Sequence, residues 1–172
     1  MWNDEDVDEV LYELGGALAT VATKKLSFRY GMAECYTFGS PRVGDEAWMR
    51  NIKTPIYRLV NSADPVTMMP PGADTINAIG WVLKFIPYYG RSIRKYLLSQ
   101  FGGYYHAGSM RYITDAVDGN YKDAELLYSV SIFRRLGAYI SKNISWKKIP
   151  NDHSITIYRK KLKFIAEKRQ NL

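Results

Sequence analysis

The sequence predicts an α/β protein, a mainly parallel sheet with crossover helices and extra helical insertions, in a single domain spanning residues 1–172. Three observations carry this. First, two β-rich runs, residues 34–38 and 55–60, are separated by a helical stretch, and connections that long fit crossovers rather than hairpins. Second, each run stops in a polar loop, Gly39-Ser40-Pro41 and Asn61-Ser62-Ala63-Asp64-Pro65. Functional groups of parallel sheets gather at such strand ends. Third, 172 residues of ordinary globular composition suffice for one sizeable core.

Taken in order, residues 1–9 are acidic and read as a frayed end, and 10–12 as the close of a short strand. Leu14, Leu18, Val21, Ala22 and Leu26 recur at helical spacing, with Lys24 and Lys25 placed to suit the C-terminal end of the helix dipole. Residues 45–52 suggest a short helix. Residues 79–89 are apolar and aromatic with one charge, and 91–98 are basic and amphipathic. A strand is expected at 110–114 and a helix at 123–142. A last helix is expected from His153 to about Lys168, with Asp152 as its cap and Ile155, Tyr158, Leu162 and Ile165 on one face. No repeat or internal domain boundary is visible.

The charge is uneven. Net charge is +7, yet the first thirteen residues hold Asp4, Glu5, Asp6, Asp8, Glu9 and Glu13 and no base. The basic remainder suits anionic surfaces, and the insertions at 73–103 and 120–148 suit a lid or a membrane-surface segment, or helices that simply cover the sheet. No nucleic-acid motif appears, so no nucleic-acid partner is expected. A lone Cys35 offers neither a disulfide framework nor a metal pattern, and no metal or other cofactor is expected. The opening lacks a signal-peptide pattern and no apolar run is long enough to span a bilayer, which makes the cytoplasm the default compartment.

Six separated motifs occur in one order. They are Leu14-Gly15-Gly16-Ala17-Leu18-Ala19; Tyr36-Thr37-Phe38-Gly39-Ser40-Pro41-Arg42-Val43-Gly44; Tyr57-Arg58-Leu59-Val60-Asn61-Ser62-Ala63-Asp64-Pro65-Val66; Pro70-Pro71; Tyr105-His106-Ala107-Gly108; and Ile149-Pro150-Asn151-Asp152-His153-Ser154. Together they resemble the class 3, fungal-type, lipases of the α/β-hydrolase fold. The resemblance implies hydrolysis of acylglycerol or phospholipid esters by a Ser-Asp-His triad. It implies Asp64 as the acid and His153 as the base. His106 matches a different histidine of the family, and with only two histidines His153 is preferred. The resemblance places Glu13 at the nucleophile position in place of serine, Leu11 in place of the first glycine of the elbow, and the Leu14 amide in the oxyanion hole.

Two departures follow. An attack by Glu13 on an ester would give an anhydride, a poor route to hydrolysis. The chain also opens where the middle of the family domain is expected, so a truncated α/β-hydrolase is predicted, impaired alone and in need of an N-terminal half or an oligomer partner at its sheet edge. The alternative is a pseudoenzyme, a non-catalytic membrane-surface or protein-binding module derived from a lipase.

Overall fold

The computed structural model describes residues 14–26, 33–62, 64–116, 120–142 and 153–171. The expected strand at 10–12, Leu11, Glu13 and the loop at 149–152 lie outside the described residues. A four-stranded sheet runs in the order β1 (Cys35–Phe38), β3 (Ile56–Asn61), β5 (Ser109–Ile113), β6 (Leu126–Leu127). The first three strands are parallel, with Cys35 beside Ile56 and Tyr57 beside Ser109, and β6 is antiparallel to β5. A second, two-stranded sheet pairs β2 (Gly44–Asp45) with β4 (Tyr104–Tyr105). The described chain is therefore α/β, with a mostly parallel sheet.

Alternation along the strands sends side chains to opposite faces, and each face has its own helices. Leu59 and Ile113 face Tyr158 and Ile165 of the last helix, α6 (Ile155–Gln170), with Ala116 and Ala124 closing that core. On the other face Cys35 and Ile56 pack with Met49 and Ala107, flanked by Ala19 and Trp48. Ala19 belongs to α1, residues 14–26, and Met49 to α2 (Glu46–Met49). Each of the larger buried aliphatic side chains stabilises the fold by roughly 1.5–3 kcal/mol. Cys35 is a small buried hydrophobe here.

Several expectations need correction. The helix expected over 45–52 is shorter, because Asp45 is spent as its cap, accepting from the Trp48 amide at 2.7 Å, while pairing through its backbone with Tyr104. The helix expected over 123–142 begins at Ile132, as α5 (Ile132–Lys142). Leu126 and Leu127, inside the span expected to be helical, form β6 instead. The turn into β6 is held by Thr114, whose amide donates to the Glu125 carbonyl and whose hydroxyl accepts from the Glu125 amide, both at 2.9 Å. The last helix is capped by Ser154, which accepts from the Thr156 amide, so His153 precedes the cap.

Residues 73–101 form two helices, α3 (Ala73–Leu83) and α4 (Gly90–Phe101), joined by a tight connection. Between β3 and α3 lies a 3-10 turn at Val66–Met68. Gly108 precedes β5 with φ 74°, and a Cβ there would lie 2.1 Å from the Ile56 carbonyl oxygen. Only glycine lets β5 start this close to β3.

Candidate functional site

The loop after β3 presents Asp64, which is 2% exposed, to His153, which is 7% exposed and stands just ahead of α6. His153 Nδ1 lies 2.9 Å from Asp64 Oδ2. The same oxygen accepts from the Tyr158 hydroxyl at 2.6 Å, and Oδ1 accepts from the Val66 amide at 3.0 Å. Every one of these contacts offers the carboxylate a donor. Nδ1 therefore carries the imidazole proton, and Nε2 is the acceptor nitrogen of the neutral ring. A ring held this way can take a proton at Nε2, and the carboxylate behind it can stabilise the resulting cation.

Tyr158 is fully buried and ties the pair to the sheet, because its hydroxyl accepts from the Asn61 amide at 2.9 Å. Asn61 Oδ1 accepts from Lys161 Nζ at 2.7 Å, and Lys161 also donates to the Thr114 carbonyl. Helical spacing brings Tyr158 and Lys161 to the same side of α6. Sequence reasoning saw Tyr158 only as part of an apolar stripe. The missed signal was Lys161, a charge inside that stripe beside Leu162 and Ile165.

The segment after Asp64 is clamped from outside. Arg42, 4% exposed, donates through Nη1 to the carbonyls of Met68 and Pro70 at 2.6 and 2.9 Å, and through Nη2 to Asp74 at 2.9 Å. Arg135 from α5 donates to Thr67 Oγ1 at 2.7 Å, and Thr67 Oγ1 in turn donates to the Asp64 carbonyl. His106 Nε2 lies 2.8 Å from the Thr67 carbonyl, so it carries a proton and donates. Burial keeps His106 neutral, well below the usual histidine range, with Arg58, Arg42 and Arg135 adding repulsion. Arg58 is pushed down to about 9, first by burial and then by Arg135 and Arg42. Arg42, Thr67 and His106 thus hold the backbone that carries Asp64, with Arg135 bracing Thr67, and none of these arginines was singled out by sequence reasoning, although Arg42 and Arg58 lie within its motifs.

The two histidines are therefore separated by geometry. His153 meets the carboxylate, while His106 meets a backbone carbonyl on the clamp. Leu14 starts the described part of α1 and is half exposed. Two residues on, a Cβ at Gly16 would sit 2.9 Å from the Ser40 Cβ, so Gly16 brings α1 against the end of β1. Ser40 is buried there and donates to the Pro41 carbonyl. Glu13 lies outside the described residues. Among the described residues there is no group of three or more potential metal ligands, and no helix is long and apolar enough to cross a membrane.

A family model, Lipase (class 3), matches residues 13–73. Over these residues the chain is similar to the class 3 lipases. A secreted mono- and diacylglycerol lipase from Fusarium solani is 38% identical over 63 residues, which are 35% of this chain and 19% of that protein. No solved structure matches. The matched stretch takes in α1, β1, β3 and Asp64 and ends at the start of α3, and His153 reaches the site from beyond it.

Proposed function

We propose that this chain carries the acid and base of a lipid-ester hydrolase centre on an α/β-hydrolase scaffold, with Asp64 orienting His153 and Nε2 of His153 acting as the proton acceptor. The observation that supports this is the buried bond from His153 to Asp64, braced by Tyr158. The similarity of residues 13–73 to the class 3 lipases supports an ester of a lipid as the substrate. In this reading the Leu14 amide contributes to the oxyanion hole, and Glu13 occupies the nucleophile position.

A glutamate there withholds the hydroxyl that His153 would activate. Removing the nucleophile of a comparable triad costs roughly six orders of magnitude in turnover. The chain by itself is accordingly inactive or very weak, and its working form takes further groups from a second segment or subunit placed along β1, the outer strand of the described sheet.

The test is hydrolysis of p-nitrophenyl butyrate by the native chain and by Glu13→Ser, each with and without Asp64→Ala. The reading predicts a rate near background for the native chain and a gain of about 100-fold or more for Glu13→Ser, in the range of a single catalytic group. It also predicts that Asp64→Ala erases the gain. Robust native activity that Asp64→Ala leaves intact would overturn the assignment. A second reading, a non-catalytic lipid-surface or protein-binding module, draws on the exposed aromatic and basic side chains of α3 and α4. It predicts no gain from Glu13→Ser.

A further inference from the structure

The hairpin of α3 and α4 has a surface that the acid–base pair does not use. Its connecting turn, Lys84 to Tyr89, carries Phe85 at 75% exposure, Tyr88 at 95% and Tyr89 at 69%. Trp81, 62% exposed, packs edge-on against Phe85 with ring centroids 5.7 Å apart. Large aromatic groups this exposed, clustered at one end of a hairpin, mark an interaction site rather than ordinary surface.

The tip is held in shape. Tyr88 has φ 66°, in the left-handed region, and a Cβ at Gly90 would lie 1.9 Å from the Leu83 carbonyl oxygen. The two helices therefore close on each other at the turn, and Arg94 of α4 locks to Asn77 of α3 at 2.6 Å. The aromatic groups are displayed by a fixed scaffold.

Charge selects the partner. Residues 75–103 contain Lys84, Arg91, Arg94 and Lys95 and no aspartate or glutamate. Arg91, Arg94 and Lys95 fall in the first six positions of α4, within about 8 Å of the tip along the helix axis. Tyrosine and tryptophan favour the boundary between headgroups and acyl chains, and an interfacial segment buries its apolar groups about 5–10 Å into that boundary. Cations at that spacing would then lie at the depth of the phosphates.

We infer that the tip of the α3–α4 hairpin docks on an anionic phospholipid surface, with Trp81, Phe85, Tyr88 and Tyr89 entering the interface and Lys84, Arg91 and Lys95 meeting the phosphates. The inference deepens the proposed function by bringing the chain to the phase that holds a lipid ester. It rests on that reading for its purpose only.

Vesicle flotation tests it on the full chain with no ester present, so failure of hydrolysis and failure of docking are read separately. Two vesicle types are used, phosphatidylcholine alone and an equal mixture with phosphatidylserine. The native chain should float with the mixed vesicles, bind phosphatidylcholine alone at least tenfold more weakly, and release as salt is raised. Phe85→Ser/Tyr88→Ser/Tyr89→Ser and Arg91→Glu/Lys95→Glu change exposed side chains only. Each should keep the native circular dichroism spectrum and weaken flotation at least tenfold. Absence of flotation at low salt, or flotation that both variants leave unchanged, would overturn the inference. So would a native dimer in sedimentation that the tip variant converts to monomer, because the tip would then be an interface between copies.

Discussion

At the scale of residues, the interior polar groups divide into a carboxylate–imidazole pair and a clamp on the loop that carries the carboxylate. Arg42 belongs to the clamp, with its planar fork spread over Met68, Pro70 and Asp74. Arg42→Ala leaves the Met68 and Pro70 carbonyls without their donor and should cost about 1–3 kcal/mol in urea denaturation. Arg42→Lys should recover only a minor part, since one ammonium cannot reproduce the fork. His106 gives a pH signature whose sign is set by its environment. Its folded form stays neutral where the unfolded chain takes up a proton, from about 6.5 downward. The unfolded state then binds more protons, so this contribution is intact above that range and is lost as the pH falls through it. The loss approaches at most about 1.4 kcal/mol per pH unit. His106→Gln keeps an N–H donor for the Thr67 carbonyl and should flatten the decline in unfolding free energy between neutral pH and about 5.5. An unchanged acid slope would contradict the assignment.

At the scale of elements, what could be read in the sequence depended on how local the determining interaction was. β1 and β3 were legible because β-rich runs ended in turn residues, and α1 because its apolar spacing needs no partner to be recognised. The structure places β3 at Ile56–Asn61, and the polar loop the sequence put after it carries Asp64. β6 was not legible. Leu126 and Leu127 satisfy a helical stripe as well as a strand, and only the pairing of Thr114 with Glu125, eleven residues apart, decides between them. The short strand at Tyr104–Tyr105 escaped for the same reason, since its partner is Gly44–Asp45. Glycines separate likewise by context. Gly108→Ala meets both a positive φ and the Ile56 carbonyl, and should cost at least about 3 kcal/mol by thermal or urea unfolding. Gly137, inside α5 with open space around its Cβ position, should tolerate alanine and gain up to about 1 kcal/mol. Equal costs at the two positions would contradict this account of the β5 start.

At the scale of the whole molecule, two separate stretches of chain meet at one end of the sheet. β3 brings Asp64, the start of the last helix brings His153, and α6 supplies the Tyr158 brace. Motif order made Asp64 and His153 nameable from the sequence, but their closure runs over 89 residues and their brace over 94. The buried arginines were illegible because nothing local distinguishes an interior guanidinium from a solvated one. Basic character read as a surface property is in fact divided. Arg42 and Arg135 lie inside, holding the loop, whereas Arg91 and Lys95 lie on the hairpin. The central claim is that Asp64 fixes the tautomer of His153, with the proton of the neutral ring on Nδ1 and Nε2 as the acceptor. Ring-nitrogen chemical shifts from heteronuclear NMR test it directly, because the chain has only two histidines. The account predicts opposite tautomers at slightly alkaline pH: His153 protonated at Nδ1 and His106 protonated at Nε2, with Asp64→Asn altering His153 alone. A His153 proton on Nε2 in the native chain, indifferent to Asp64→Asn, would contradict it.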